Sequence, residues 1–173
     1  MKSARLLLTL PLFVACNNND HKISSSNGDL GFDTSAQVYT VTSENHSINA
    51  AIEKAKKTIG DFEHAFKSKD SSFTDFAVKK RYETPDKNGE HMWIAVTEII
   101  NGNYRGMVNN DAEQTNEVKY GDTVIVRKNE ITDWMYLDNN VLKGGYTIRE
   151  LLNQMDIKEQ EKMKKEMGFI IED

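Results

Sequence analysis

His91-Met92-Trp93-Ile94-Ala95-Val96 is the stretch on which the fold turns. Apolar residues stand at odd and even positions alike. A strand with this pattern buries both faces, so it is central in its sheet and needs cover on each side. Segments of similar period flank it at 73–82, 104–108, 123–128 and 131–136. Turn signals separate them: Pro85-Asp86-Lys87-Asn88-Gly89, Asn101-Gly102, Asn109-Asn110-Asp111, Gly121-Asp122 and Asp138-Asn139-Asn140. Short strands joined by short turns pair antiparallel. Asn109-Asn110-Asp111 reads as a tight hairpin turn, because a calcium loop needs more oxygens at regular spacing.

The cover comes from helices on either side in sequence. Over 47–68, Ile48, Ile52, Ala55, Ile59, Phe62 and Phe66 recur every three or four residues, with Ser47 as the expected N-cap. Glu53–Lys57 and Glu63–Lys67 have the spacing of ion pairs on the wet side. Downstream, Thr147-Ile148-Arg149-Glu150 has the form of a capping box, and Asp156 opens a further helix that Gly168 stops. The Lys-rich 158–165 stretch alternates with Glu and reads as a solvated face. The fold class is therefore α+β: a curved antiparallel sheet of about five strands, flanked by an N-terminal amphipathic helix and C-terminal helices.

The N-terminus carries a different message. Lys2 and Arg5 precede an apolar run, 6–15, too short to span a bilayer as a helix. Phe13-Val14-Ala15-Cys16 then resembles a bacterial lipobox, with Phe13 where Leu is more usual. The resemblance implies a signal peptide over 1–15, cleavage before Cys16, and acylation of that residue. Cys16 is the sole cysteine, so no intramolecular disulfide forms. Two or more acyl chains make a stable anchor. Asn17 follows the cysteine in place of the Asp that holds lipoproteins at the inner membrane, which favours the periplasmic face of the outer membrane in a Gram-negative cell. Residues 16–44 are polar and turn-rich and read as a tether, with a short strand expected at 37–41. One domain fills 45–173.

Composition narrows function further. The chain of 173 residues has a net charge of −5, and losing Lys2 and Arg5 takes it to −7. That disfavours a nucleic-acid partner. No phosphate loop, dinucleotide fingerprint, HExxH, GxSxG or CxxC is present, so no cofactor is expected. His64 with Asp61 on the first helix is too sparse for a metal site. Gly144-Gly145-Tyr146-Thr147 precedes a helix, a position that takes anions, but it reads first as a strand-to-helix turn. The one chemical constellation is His91, Trp93, Asp133 and Trp134. If their strands share a sheet, Asp133 could orient His91 while the indoles form a binding wall. Alternation puts Asp133 and Trp134 on opposite faces, so a single pocket would need a bulge.

Phe76-Ala77-Val78-Lys79, Glu90-His91-Met92-Trp93-Ile94, Gly106-Met107-Val108-Asn109-Asn110, Gly121-Asp122, Ile131-Thr132-Asp133-Trp134-Met135 and Gly144-Gly145-Tyr146-Thr147 occur in this order. The series resembles the YegJ-like bacterial family, domain of unknown function 2314, over about residues 70–152. The resemblance implies a small α+β domain and supplies no catalytic residues. Three readings follow. The first is a non-catalytic envelope module that binds a protein or small ligand. The second is an immunity-type protein whose acidic charge suits a basic toxin. The third is an envelope hydrolase using His91 with an aspartate.

Overall fold

The computed structural model describes residues 30–33, 38–41 and 46–172. Cys16 and most of the 16–44 segment lie outside them. Within that segment, β1 (Leu30–Asp33) and β2 (Val38–Val41) pair antiparallel as a two-stranded sheet of their own. The domain follows with α1 (His46–Ser68), β3 (Phe73–Glu83), β4 (Gly89–Ile100), β5 (Asn103–Val108), β6 (Thr123–Val126), β7 (Ile131–Asp138), β8 (Val141–Gly144), α2 (Tyr146–Asn153) and α3 (Ile157–Met167). The main sheet runs β6-β5-β4-β3-β7-β8, antiparallel throughout.

The sheet has six strands where about five were expected. The extra one is β8, four residues joined to β7 by Asn139-Asn140. Both asparagines have positive φ, 47° and 67°, the requirement of a two-residue type I′ turn. Val141-Leu142-Lys143-Gly144 shows little alternation and runs into the paired glycines, so it reads as part of the turn before α2. The 109–122 connection is also a correction. It is a 14-residue loop between β5 and β6 rather than a tight hairpin.

Curvature follows from chain length. Only residues 127–130, mostly a 3-10 turn at Lys128–Glu130, join β6 to β7. Those strands are four interstrand spacings apart, roughly 19 Å in a flat sheet. Five extended residues reach about 18 Å, and a helical turn less. The sheet must therefore curl, and it curls around α1: Lys128 of the turn pairs with Glu63 of that helix at 2.8 Å.

Both faces of β4 are buried, as its composition requires. Toward α1, Val78, Ile94 and Trp134 align across three strands and pack with Ala55, Ile59 and Phe62. On the other face, Ala77, Trp93, Leu137 and Leu142 pack with Ile148, Leu151 and Leu152 of α2 and Met167 of α3. Ser47 lies inside the first turn of α1 rather than capping it. Glu53 pairs with Lys56 instead of Lys57, and Glu63 turns to Tyr104 and Lys128 instead of Lys67. No helix of the described residues is long and apolar enough to cross a membrane.

Gly106 marks a close approach of β5 to β4. A Cβ there would stand 2.3 Å from the Ala95 carbonyl oxygen, beside the β4 bulge at Val96/Glu98. Gly106→Ala should cost about 1–3 kcal/mol in denaturant unfolding, since backbone rather than a flexible side chain must move. Unchanged stability would contradict this packing.

Candidate functional site

The register of three strands sets one polar row. Lys79 on β3 pairs with Trp93 on β4 and Asp133 on β7, so all three project from the face that α2 covers. His91 lies two residues before Trp93, opposite Arg81, on that same face. Trp134 projects the other way, toward α1. Its indole N–H donates to the Ala55 carbonyl at 3.0 Å, and its ring lies among Phe62, Tyr136 and Tyr146. Trp93 and Trp134 are 6% and 3% exposed and sit on opposite sides of the sheet, so they do not line one wall.

Asp133 is fully buried and its carboxylate is saturated. Oδ1 accepts from the backbone N–H groups of Trp134 and Tyr146, at 2.8 and 3.2 Å. Oδ2 accepts from the Thr147 N–H at 2.8 Å and its hydroxyl at 2.6 Å. Two of these donors are the first amides of α2. Gly145 occupies the N-cap position in the left-handed conformation and has no side chain to cap with. Asp133 therefore caps α2 from the neighbouring strand, where the helix dipole favours negative charge. The predicted capping box is displaced: Thr147 is the second helical residue, and its hydroxyl turns to Asp133. The glycine turn does present an anion site, and the protein's own Asp133 fills it.

Lys79 completes the array. Its ammonium donates to Thr147 Oγ1 at 2.8 Å and stands 4.8 Å from the centre of the Trp93 ring. Burial pulls the Lys79 pKa down, against the attraction of Asp133. Burial likewise pushes Asp133 up, against Lys79 and the donors from Thr147 and Trp134. The Trp93 Nε1 atom is buried and has no hydrogen-bond partner among the described residues.

His91 is half-buried and its contact is with Thr132, Nδ1 to Oγ1 at 3.0 Å. The Thr132 hydroxyl gives its hydrogen to the Lys79 carbonyl, so Nδ1 is the donor in the neutral imidazole. Burial, with Lys79 and Arg81 nearby, holds the His91 pKa down to about 3. Asp133, with both oxygens taken by other donors, does not orient His91. His64 and Asp61 are exposed on α1, and no group of three or more His, Cys, Asp or Glu among the described residues is placed to hold a metal.

A second buried carboxylate escaped the sequence reading. Glu90, 2% exposed, accepts the backbone N–H groups of Glu113, Gln114 and Thr115 at 2.8–3.0 Å. Asn110 is equally buried and accepts the Trp93 N–H at 2.7 Å, while Thr115 donates its hydroxyl to the Glu83 carbonyl. The long 109–122 loop is thus bolted to the β3–β4 hairpin. For Lys79 a signal existed. Lys79-Lys80 in a strand puts one of the two on each face, and the register turns Lys79 inward.

Fold and site together define an α+β domain: a curled antiparallel sheet covered by α1 on one side and partly by α2 and α3 on the other. The chain belongs to a family described as an uncharacterized protein conserved in bacteria (DUF2314), whose sequence pattern matches residues 45–170. The match extends beyond 70–152 to take in α1 and α3. It is similar to the uncharacterized protein YegJ of Escherichia coli strain K12, at 30% identity over 152 residues, covering 88% of this chain and 89% of that one. It is also similar to a putative ankyrin repeat protein of Neisseria meningitidis serogroup B, at 31% over 130 residues. That match covers 71% of this chain and 51% of the relative, so the chain spans about half the length of that protein. No solved structure matches.

Proposed function

We propose that this protein is a lipoprotein of the bacterial cell envelope, anchored through Cys16, that acts by binding a protein partner. The sequence Phe13-Val14-Ala15-Cys16 after a short apolar run supports the anchor. The observation that carries the binding reading is the 109–122 loop. Ordered loops of this length in compact domains are uncommon and are where binding residues concentrate. Here buried Glu90 and Asn110 hold the loop's backbone, while Asp111, Glu113, Asn116, Glu117, Lys119 and Tyr120 remain exposed. A prearranged loop loses less entropy on binding. Its acidic balance, with a mature charge of −7, suits a basic partner. An immunity-type protein neutralising a basic toxin is the narrower form of this reading.

Two measurements test it. Metabolic labelling with an alkyne fatty acid should mark the wild type and leave Cys16→Ser unlabelled. Label retained in Cys16→Ser would remove the anchor. Affinity capture from detergent-solubilised envelopes should yield one stoichiometric partner that Glu113→Lys/Glu117→Lys binds at least about tenfold more weakly, with added salt weakening both. Equal capture by a folded loop variant would remove the loop from the binding surface. Hydrolytic turnover lost specifically in His91→Gln would replace the binding reading with the enzymatic one.

A further inference from the structure

The face that α2 and α3 cover is only half covered. Beyond Trp93 on β4, the same side of β4, β5 and β6 has no helix over it among the described residues. Ile100, Met107 and Ile125 project there, at 38%, 42% and 61% exposure. Alternation and register place two arginines with them. Arg105 pairs directly with Ile125 across β5 and β6, and Arg127 follows two residues along. The remaining exposed residues of the strip are Thr97, Glu98 and Thr123, with Asn103 half-buried. Glu98 reaches Arg105 only at 3.8 Å, with both side chains more than half exposed.

We infer that this strip of β4–β6 is a membrane-facing surface that lies against anionic phospholipid headgroups. Its chemistry is that of an interfacial surface: aliphatic side chains for the acyl boundary, with long cationic side chains beside them that extend to phosphate. It carries no aromatic side chain of the kind that anchors protein interfaces. Charge selects the same face. Arg105 and Arg127 face Glu98 here, and Glu130 beside Arg127 is already paired with Lys80 at 3.1 Å, whereas the mature chain as a whole stands at −7 and is repelled by an anionic bilayer. The outward bow of the sheet, convex on the side away from α1, lets these side chains lead. The inference rests on the anchored reading for its geometry in the cell. Cys16 lies 30 residues before His46, so acylation there keeps the domain within about 100 Å of the bilayer. At the resulting effective concentration a weak second contact suffices.

The test removes the acyl chains so that only the strip is read. The mature chain from residue 16, carrying Cys16→Ser, is floated with vesicles of phosphatidylcholine alone or mixed with phosphatidylglycerol. It should bind the anionic vesicles, release with added salt, and ignore the neutral ones. Met107→Glu/Ile125→Glu replaces exposed residues, so the fold should persist by circular dichroism, and vesicle binding should fall at least tenfold. Lys158→Glu/Lys162→Glu changes charge elsewhere and should bind as the parent does. No binding to anionic vesicles overturns the inference. So does equal loss in both double variants, which would mark diffuse charge attraction. Concentration-dependent dimerisation abolished by Met107→Glu/Ile125→Glu, without vesicle binding, would assign the strip to a second copy instead. Failure of the anchor is read separately, by fatty-acid labelling of Cys16, and leaves the vesicle result standing.

Discussion

Asp133→Ala is expected to destabilise the domain by about 3–5 kcal/mol, the cost of breaking a buried, hydrogen-bonded charge pair from one side. The carboxylate accepts from Trp134, Tyr146 and Thr147, so its loss leaves two α2 amides and the Thr147 hydroxyl without their acceptor. It also leaves Lys79 buried with no counter-charge. The second consequence gives the sharper test. Lys79→Met in the Asp133→Ala chain should recover part of the loss, because the amine that needed the carboxylate is gone. A double-mutant cycle in urea should show a coupling of about 1–3 kcal/mol. Strictly additive effects would mean that the two groups do not interact through Thr147. Hydrogen exchange should localise the change: amides of α2 should exchange faster in Asp133→Ala while those of α1 keep their order.

Stability should also fall as the solution is acidified from pH 6.5, and His91 should be the main cause down to about 4.5. The sign follows from linkage. In the unfolded chain the imidazole takes a proton near pH 6.5, whereas in the fold it resists until about 3. Between those values the unfolded state binds more protons, so stability drops by up to about 1.4 kcal/mol per pH unit. The window above 4.5 lies above the ordinary titration of the exposed carboxylates. Across it His91 accounts for up to about 3 kcal/mol. Asp133, whose pKa is raised, acts in the opposite direction as pH falls. His91→Gln keeps a donor for Thr132 and carries no titrating group. Denaturant midpoints of this variant should be flat or rising from pH 6.5 to 4.5 while the wild type declines. Parallel curves would show that His91 is protonated as easily in the fold as outside it.

The residues that carry the family resemblance have a common character in the structure. Glu90 and Asn110 hold the 109–122 loop, Asp133 caps α2, Trp93 and Trp134 fill the two cores, and Gly106 lets β4 and β5 approach. Gly144, with φ of 70°, has the Trp134 carbonyl oxygen where a Cβ would stand, at 2.3 Å. The fragments that carry the resemblance thus largely describe how this chain's fold closes. The surfaces proposed for partner and bilayer lie mostly on other side chains, chiefly those of 111–120 and of Ile100, Arg105, Ile125 and Arg127, with Met107 common to both sets.

How much of this was legible beforehand depends on the range of the interaction. The amphipathic stripe of α1, the two-sided burial of β4, the Asn101-Gly102 turn, the Asp156 cap and the Gly168 stop were all readable, because neighbours in sequence settle them. The opposite placement of Asp133 and Trp134 was equally readable from alternation alone. Strand order was not, because the β3–β7 pairing joins residues more than fifty positions apart. That pairing makes Lys79 the neighbour of Asp133. The β7–β8 hairpin brings the start of α2 back to Asp133 and gives the helix a cap that its own sequence lacks, while Glu90 on β4 clamps a loop beginning nineteen residues later. Local propensity can place a charged residue on a strand. Only packing decides whether water or a helix N-terminus meets it, because burial and the donors around it come from chain segments that its neighbours in sequence do not specify.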